Sequence, residues 1–436
     1  MRKPSVLVVF LTVFIDLIGF GIVLPLLPIY ARNFGAKGWM IGAIMGSYSL
    51  MQFLFAPGWG RLSDRIGRRP VLLTSTAGAA ASYALFAIGS GFAGMTALLV
   101  LLVSRVFAGI CGANITVAQA YIADITPAAE RSKKMGLIGM AFGLGFILGP
   151  FISSISLAGI HIGALHIHIP GLGPRGPGWV AMGLCAANFI LALAILPESW
   201  QPTSEHAARR PRLAQWSHTF HHPKIGLLIV VFFLATFCFT CFETTLGLLV
   251  GKNFHLDVNN DQDSRIVGLL FAYCGTIGAF VQGGAIGRMV KRSGEARLIA
   301  NSLFMVAISM APMPFIHGSG AIPWILLLLT LAVLSIGSSL TRPPVFGLIS
   351  MLTPAHEQGA TIGVAQSAGS LARIVGPIFA ATLLEYYPPL PYLICSGISL
   401  FTALLVVQRL CGQSQPARPS EKPAVQGQQS EVGSQS

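Results

Sequence analysis

Residues 60–69 read Gly-Arg-Leu-Ser-Asp-Arg-Ile-Gly-Arg-Arg, and residues 287–294 read Gly-Arg-Met-Val-Lys-Arg-Ser-Gly. Both stretches are basic and bounded by glycine, and Gly60 and Gly287 lie 227 positions apart (287 − 60). The same spacing relates further pairs: residues 126–128 with 353–355 (Thr-Pro-Ala), Glu130 with Glu357, and Gly149-Pro150 with Gly376-Pro377. One offset that holds without insertion over this length indicates a duplicated unit.

Long apolar segments surround these motifs. Of the 436 residues, 53% are hydrophobic and only 10% are charged, whereas soluble domains carry roughly 25% charged residues. A membrane-spanning helix needs about 20 mostly apolar residues. Twelve segments qualify: 5–30, 39–60, 71–90, 95–120, 134–157, 178–197, 225–250, 265–287, 298–317, 322–345, 359–384 and 391–411.

Six spans per unit is an even number, so both units begin on the same side of the membrane. They are then parallel repeats about an axis along the membrane normal. The sequence predicts an all-α integral membrane fold of two six-helix bundles, 1–197 and 225–411. A polar cytoplasmic linker, 198–224, joins the bundles, and the segment 412–436, rich in Gln, Ser and Pro, is predicted to be a disordered cytoplasmic tail.

The net charge of +13 follows the predicted topology rather than indicating nucleic acid. Of the 28 Lys and Arg, 20 fall on segments that share a side with the N-terminus, and 5 fall on the opposite loops. This asymmetry predicts that both termini are cytoplasmic.

Seven cysteines lie in or beside apolar helices. Cys238 and Cys241 form a Cys-x-x-Cys pair, but the sequence has no further ligands near them, so we predict no metal site. It also has no phosphate-cradling loop and no nucleophile constellation. We therefore expect no cofactor and no enzymatic activity.

Two carboxylates lie deep inside predicted helices, Asp16 in the first and Glu243 in the seventh, and they obey the same offset (243 − 16). Placing a charged side chain at the centre of the bilayer costs roughly 2.5–3.5 kcal/mol on insertion scales. That a carboxylate is present in both halves despite this cost indicates that both have a function. We predict proton coupling by Asp16, Glu243 and Arg105. The alternatives are that Glu243 pairs with Arg373, and that Arg105 only braces helices 1 and 4.

The 60–69 loop resembles the signature loop between helices 2 and 3 of the major facilitator superfamily, and in its copy Lys291 replaces Asp64. Residues 145–150 (Gly-Phe-Ile-Leu-Gly-Pro) resemble the fifth-helix motif associated with antiporters. Residues 24–28, 50–54 and 120–126 are similar to tetracycline efflux proteins, which are twelve-helix drug:proton antiporters.

The resemblance implies proton-coupled efflux of lipophilic or amphiphilic small molecules, such as drugs or antibiotics, by a monomer in the bacterial inner membrane. The partners implied are the small molecule, protons and the lipid bilayer. Ser82 and Val306 stand where tetracycline exporters carry acids, which argues against tetracycline itself. The alternative is a proton-coupled metabolite or sugar porter, because a fold does not fix its cargo.

Three further groups of residues are assigned roles. Gln52, Asn114 and Gln366 are candidates for substrate contact, with interhelical hydrogen bonding as the alternative. A cytoplasmic gate is predicted at Gly60, Asp64, Arg65, Gly67 and Arg68, in which Asp64 closes the cytoplasmic side while the cavity faces outward. Gly145, Gly149 and Pro150 are predicted to form a tightly packed joint that bends at proline.

Overall fold

The computed structural model describes residues 5–112, 114–126, 131–162, 167–199, 212–256, 261–318, 320–353 and 358–411. The first half contains α1 (Val6–Val23), α2 (Leu27–Asn33), α3 (Gly38–Ile66), α4 (Arg68–Gly89), α5 (Gly94–Cys111), α6 (Asn114–Ile125), α7 (Arg131–Ala158) and α8 (Gly176–Ile195).

The second half contains α10 (Pro223–Asn253), α11 (Asp261–Phe280), α12 (Ile286–Ser293), α13 (Glu295–Met310), α14 (Ala321–Leu352), α15 (Gln358–Tyr386) and α16 (Pro389–Val406). A short helix, α9 (Arg212–Phe220), precedes them in the predicted linker. The predicted tail, 412–436, lies outside the described residues.

These helices form twelve spans. Within the described residues, ten are long and apolar enough to cross a membrane, and the stretches Ala141–Leu157 and Arg265–Phe280 are shorter apolar helices in the fifth and eighth places. In the first and fourth spans, α1 is followed by α2 and α5 by α6; in the eighth, a π-helical segment, Val281–Ala285, joins α11 to α12. The predicted all-α fold of twelve spans is confirmed.

Several helices extend beyond their predicted apolar segments. α3 was predicted to end near residue 60 but continues to Ile66 over 29 residues. A helix of this length spans about 43 Å, which exceeds the roughly 30 Å of a bilayer core. α14 likewise continues through Pro343 and Pro344 to Leu352. In α3, hydropathy marks the part of the helix inside hydrocarbon, and the polar turns beyond it escape that criterion. In α14 the mostly apolar residues simply continue past the two prolines.

The helix bounds follow the sequence repeat. α4 and α13 begin at Arg68 and Glu295, which are 227 positions apart (295 − 68). Gly67 ends α3 with φ 98°, and its counterpart Gly294 ends α12 with φ 75°. Both lie in the left-handed region that glycine enters without steric cost. The glycines that bound the two quoted motifs therefore allow the same sharp turn in each half.

Two extensive interfaces join the halves, α3 against α15 and α7 against α11. The 227-residue offset converts one interface into the other, because α3 corresponds to α11 and α12, and α7 corresponds to α15. Within the halves, α1 packs on α7 and α8, and α10 packs on α15 and α16. The two bundles therefore meet along equivalent helix faces.

Between α7 and α8 lies a two-stranded antiparallel hairpin, β1 (Gly159–Ile162) and β2 (Ile167–Pro170), in which His161 faces His168 in register. The sequence analysis predicted helices only, so the strands at these eight residues depart from it. The alternation of isoleucine and histidine is the period-two pattern of a strand, and the surrounding Gly and Pro obscured it.

Candidate functional site

Asp16 on α1 lies inside the first half with only 6% of its surface exposed. The thiol of Cys185 on α8 donates to Asp16 Oδ1 at 3.5 Å. Asp16 also lines a cavity with Tyr48 and Tyr83 whose volume, about 30 Å³, holds roughly one or two water molecules. An acid in this setting can bind a proton and release it when water reaches the cavity.

Arg105 on α5 is held by aromatic rings. Its Cζ atom lies 4.8 Å from the ring centroid of Tyr48 on α3 and 5.7 Å from that of Phe20 on α1. Both distances allow cation–π attraction. Arg105 forms no ion pair with a carboxylate in the part of the chain that the structure describes, and its buried Nε has no hydrogen-bond partner there. Arg105 therefore links α5 to α1 and α3 through its contacts with these two rings.

Glu243 on α10 occupies the matching depth of the second half and is 8% exposed. Its buried Oε1 has no hydrogen-bond partner among the described residues. Arg373 on α15 acts on it electrostatically. No direct ion pair joins the two groups across the described ranges, although the sequence analysis kept that pairing as an alternative.

Arg342 on α14 lies where the halves meet. Its Cζ is 5.8 Å from the ring centroid of Phe142 on α7, 5.8 Å from that of Phe232 on α10, and 5.7 Å from that of Phe346. Its Nη2 lies 3.5 Å from Gln366 Oε1. The side chain is accessible to solvent although rings from three helices surround it, so it lies in an open space between the halves.

A polar stripe on α15 extends from Gln366 into the centre of the protein. Ser370 Oγ donates to the Gln366 carbonyl at 3.1 Å, and Arg373 Nη2 donates to Ser370 Oγ at 3.4 Å. Positions i, i+4 and i+7 share one face of a helix. Arg373 is also within electrostatic reach of Tyr48 in the first half. The polar face of α15 is therefore turned toward the first half.

The other two candidates for substrate contact are placed differently. Gln52 Nε2 donates to the Gly112 carbonyl at 3.1 Å and lies 3.4 Å from the Tyr48 hydroxyl. Its amide therefore links α3 to the end of α5, the arrangement that the interhelical alternative describes. Asn114 begins α6, and its side chain lies outside the described part of the structure.

Gly145 and Gly149 lie where α7 crosses α1. A Cβ added to Gly149 would collide with the backbone of Gly21, and one added to Gly21 would lie 2.5 Å from the Gly145 carbonyl oxygen. The two backbones are therefore in contact, as small residues at four-residue spacing permit between membrane helices.

Pro150 lies inside α7 without ending it. Ser154 Oγ donates to the Pro150 carbonyl at 2.8 Å and lies 3.3 Å from the Arg265 carbonyl of the other half. Gly268 on α11 packs against this turn, since an added Cβ would meet Ser154 Oγ. The residues of the antiporter-like motif thus contact α1 on one face and the second half on another.

A polar network surrounds Arg68 at the start of α4. Arg68 Nη1 donates to Asp64 Oδ1 at 2.6 Å and to Ser63 Oγ at 2.7 Å, and Nε donates to Asp124 Oδ2 at 3.0 Å. Glu198 accepts the backbone N–H of Arg68 at 2.8 Å. The N-terminus of α4 and the Arg68 guanidinium together hold these carboxylates in position.

This network joins α3, α4, α6 and the end of α8, all within the first half. The sequence analysis placed Arg68 in the gate but missed Asp124 and Glu198, although residues 120–126 were already singled out as a family match. Arg65 points to solvent, and the atom nearest a Cβ added to Gly60 belongs to Thr116 of the same half. The network therefore holds together helix ends of the first bundle only.

The α3–α15 interface is tightly packed at one end of α3. Gly38, Gly42 and Gly46 on α3 contact the α15 backbone at Ala381, Ile378 and Ile374, leaving no room for a Cβ. Toward the other end, a Cβ added at Gly58, Gly287 or Gly363 would meet no atom within 4 Å. We call these the Gly38 end, where α3 begins and the halves touch, and the Asp64 end, where α3 ends and these glycines contact nothing in the other half.

Glu385 at the end of α15 adds a polar contact at the Gly38 end. Its Oε2 accepts the backbone N–H of Gly38 at 2.6 Å, and its Oε1 lies 3.8 Å from Arg32 Nη1. Gly38 is the first residue of α3, so the carboxylate of the second half sits on a helix N-terminus of the first, where negative charge is favourable.

Replacing Glu385 with Gln is expected to weaken closure of the Gly38 end by about 1 kcal/mol, about fivefold in the ratio of closed to open states. A cysteine placed at Thr382 should then react faster with a membrane-impermeant maleimide added to that side. Glu295→Gln, which alters a carboxylate in the first turn of α13 at the Asp64 end, is the matched control. An unchanged labelling rate in Glu385→Gln would exclude a closing role for this contact.

These features define a membrane transport protein, with two repeated six-helix bundles that pack tightly at one end and charged side chains buried inside each bundle. The Major Facilitator Superfamily profile matches residues 9–377 and, in a second match, 285–433. The chain belongs to this superfamily.

Individual relatives extend the comparison. The chain is 30% identical to the class E tetracycline resistance protein of Escherichia coli over 433 residues, covering 97% of this chain and 98% of that one. The crystal structure of the human organic anion transporter MFSD10 (TETRAN) aligns with a TM-score of 0.66 at 25% identity, over 93% of this chain and 100% of that one. A mutant of the nucleoside transporter NupG aligns with a TM-score of 0.72 at 12% identity, over 92% of this chain and 99% of that one. At this identity the likeness shows the fold alone.

Proposed function

We propose that this protein exports lipophilic or amphiphilic small molecules in exchange for protons, by alternating access between its halves. The observation that supports this most is the placement of Asp16, a buried acid beside a cavity of water-molecule size. A proton held there is isolated from lipid and is released when the cavity is hydrated. Arg105 holds the neighbouring rings in place, and Glu243 is the equivalent acid in the other half.

The bundles 1–197 and 225–411 move as two bodies joined by the linker 198–224. We place the protein as a monomer in the bacterial inner membrane with both termini in the cytoplasm, on the distribution of basic residues. The Asp64 end is then cytoplasmic, and the cleft is open toward the cytoplasm. In this state a compound enters from the cytoplasm while the Gly38 end is closed.

The proposed gate changes in one respect from the sequence prediction. Asp64 accepts a hydrogen bond from Arg68 of its own half, and it does so while the cytoplasmic end is open. We propose that this network keeps the end of the first bundle rigid, and that closure brings its face toward the second bundle. The contact of α7 with both α1 and α11 supports a hinge around Pro150.

The test uses everted membrane vesicles whose interior has been acidified. Addition of a transported amphiphile is expected to release protons from the vesicle interior, recorded by a pH-sensitive dye. Vesicles without the protein provide the baseline. A sugar that moves protons in the opposite sense would instead support the proton-coupled sugar porter, and a panel of amphiphiles that releases no protons would overturn the proposal.

A further inference from the structure

Five ionisable side chains lie well inside the spans. Two are the acids, Asp16 and Glu243, and three are arginines, Arg105, Arg342 and Arg373. With every group ionised, this set carries a charge of +1 (three arginines against two carboxylates). Protonating either acid during a transport cycle makes it more positive. Since arginine keeps its charge in proteins, this set of buried groups stays positive whether or not the acids are protonated.

The arginines form no direct ion pair with the acids among the described residues, although Arg373 lies within electrostatic reach of Glu243. Across the described ranges, the ion pairs involve Arg32 and Arg68, and none involves Arg105, Arg342 or Arg373. Arg105 is held by rings, Arg373 by the hydroxyl of Ser370, and Arg342 by rings and an amide oxygen. Cations at membrane depth normally pair with an anion or with backbone carbonyls. A substrate anion would supply the missing counter-charge.

Arg342 is the most accessible of the three. Its guanidinium is reachable by solvent, which Arg105, at 2% exposure, is not. The Phe142 ring comes from the first half and the Phe232 ring from the second. A ligand at Arg342 would therefore touch both bundles, which is what a substrate that controls their rocking must do.

Arg373 extends this site toward the centre. Gln366 lies beside Arg342 and occupies the same face of α15 as Arg373, seven positions away. An anionic group that enters at Arg342 thus follows a polar stripe inward. Guanidinium groups bind carboxylate, sulfate and phosphate oxygens in a planar, two-pronged fashion.

On the basis of the proposed function, we propose that the substrate is an anionic amphiphile. Its negative group binds Arg342 and then Arg373, and its aromatic or lipophilic body packs on the rings of Phe142, Phe232 and Phe346. The rings make this site suited to flat apolar groups as well as to charge. A purely hydrophilic anion would leave these rings without a partner.

The charge of the substrate has an electrical consequence. Exchange of a monoanion for one proton moves two elementary charges per cycle in the same electrical sense, whereas exchange of a monocation for one proton moves none. Accumulation of the anion in everted vesicles should therefore rise when the lumen is made electrically positive at a fixed pH gradient.

The probes are tritiated estrone sulfate, a permanently anionic aromatic amphiphile, and tritiated tetraphenylphosphonium, a permanently cationic one. With an acidic lumen and the membrane potential clamped, estrone sulfate should accumulate in vesicles that contain the protein, and tetraphenylphosphonium should not. Arg342→Gln should weaken estrone sulfate binding to the purified protein at least tenfold. Arg342→Lys, which keeps the charge, should retain part of it, and Arg297→Gln, an exposed arginine of α13, is the matched control.

Two outcomes would overturn this proposal separately from the proposed function. If tetraphenylphosphonium accumulates with proton release and estrone sulfate neither moves nor binds, the protein is a proton antiporter for cations and the anion site is wrong. If estrone sulfate binds equally to wild type and Arg342→Gln, the site is also wrong. Binding that requires Arg342, without proton release by any compound, would support the anion site and contradict the proposed antiport.

Discussion

Asp16→Asn is expected to abolish compound-driven proton release, reducing it to the level of vesicles that lack the protein. Asparagine has nearly the size and polarity of a protonated aspartate, so Cys185 and the rings of Tyr48 and Tyr83 keep a neighbour of the same shape. It cannot exchange a proton. The loss should therefore appear in the proton trace while the amount of folded protein is unchanged.

Asp263→Asn, at the start of α11, is the matched control and should retain proton release. Glu243→Gln separates the roles of the two acids. A partial loss would indicate a supporting role, and a complete loss would indicate that both acids are required. Full proton release in Asp16→Asn would remove Asp16 from the coupling pathway.

Gly149→Leu is expected to have the largest effect on folding. The backbone of α7 contacts that of α1 at this position, so an isobutyl group can fit only if the helices separate. Overpacking of a core typically costs about 1–3 kcal/mol, and here the obstacle is backbone, which cannot rotate away. We expect loss of the monodisperse peak in size-exclusion chromatography of the detergent-extracted protein.

Gly183→Leu is the control for this substitution, because Gly183 on α8 has no atom within 4 Å of an added Cβ. That variant should elute as wild type does. Gly149→Ala should fall between the two, with a lowered thermal midpoint. Equal stability of Gly149→Leu and Gly183→Leu would show that the close crossing of α1 and α7 is not required.

Much of the fold could be predicted from the sequence because it depends on local pattern and on repetition. Apolar length located the spans, and a single offset related the halves, including the turns at Gly67 and Gly294.

The site was predicted less completely, because it depends on which faces of distant helices meet. Asp16, Arg105 and Glu243 stood out as charges inside apolar segments, a signal that needs no partner. The aromatic neighbours of Arg105 and Arg342 are unremarkable phenylalanines and tyrosines in sequence. Glu385 ends a span where a carboxylate looks like ordinary surface charge, and only its contact with Gly38 reveals its position between the halves.

The account rests on movement of one bundle against the other, coupled to the protonation of Asp16. The most direct test places spin-label pairs at Lys37 and Tyr387, near the Gly38 end, and at Arg61 and Arg288, equivalent positions of the two repeats near the Asp64 end. Pulsed electron resonance should show the first distance lengthening as the second shortens when the protein is moved between protonating and deprotonating conditions. Two distances that stay fixed, or that change in the same sense, would contradict alternating access.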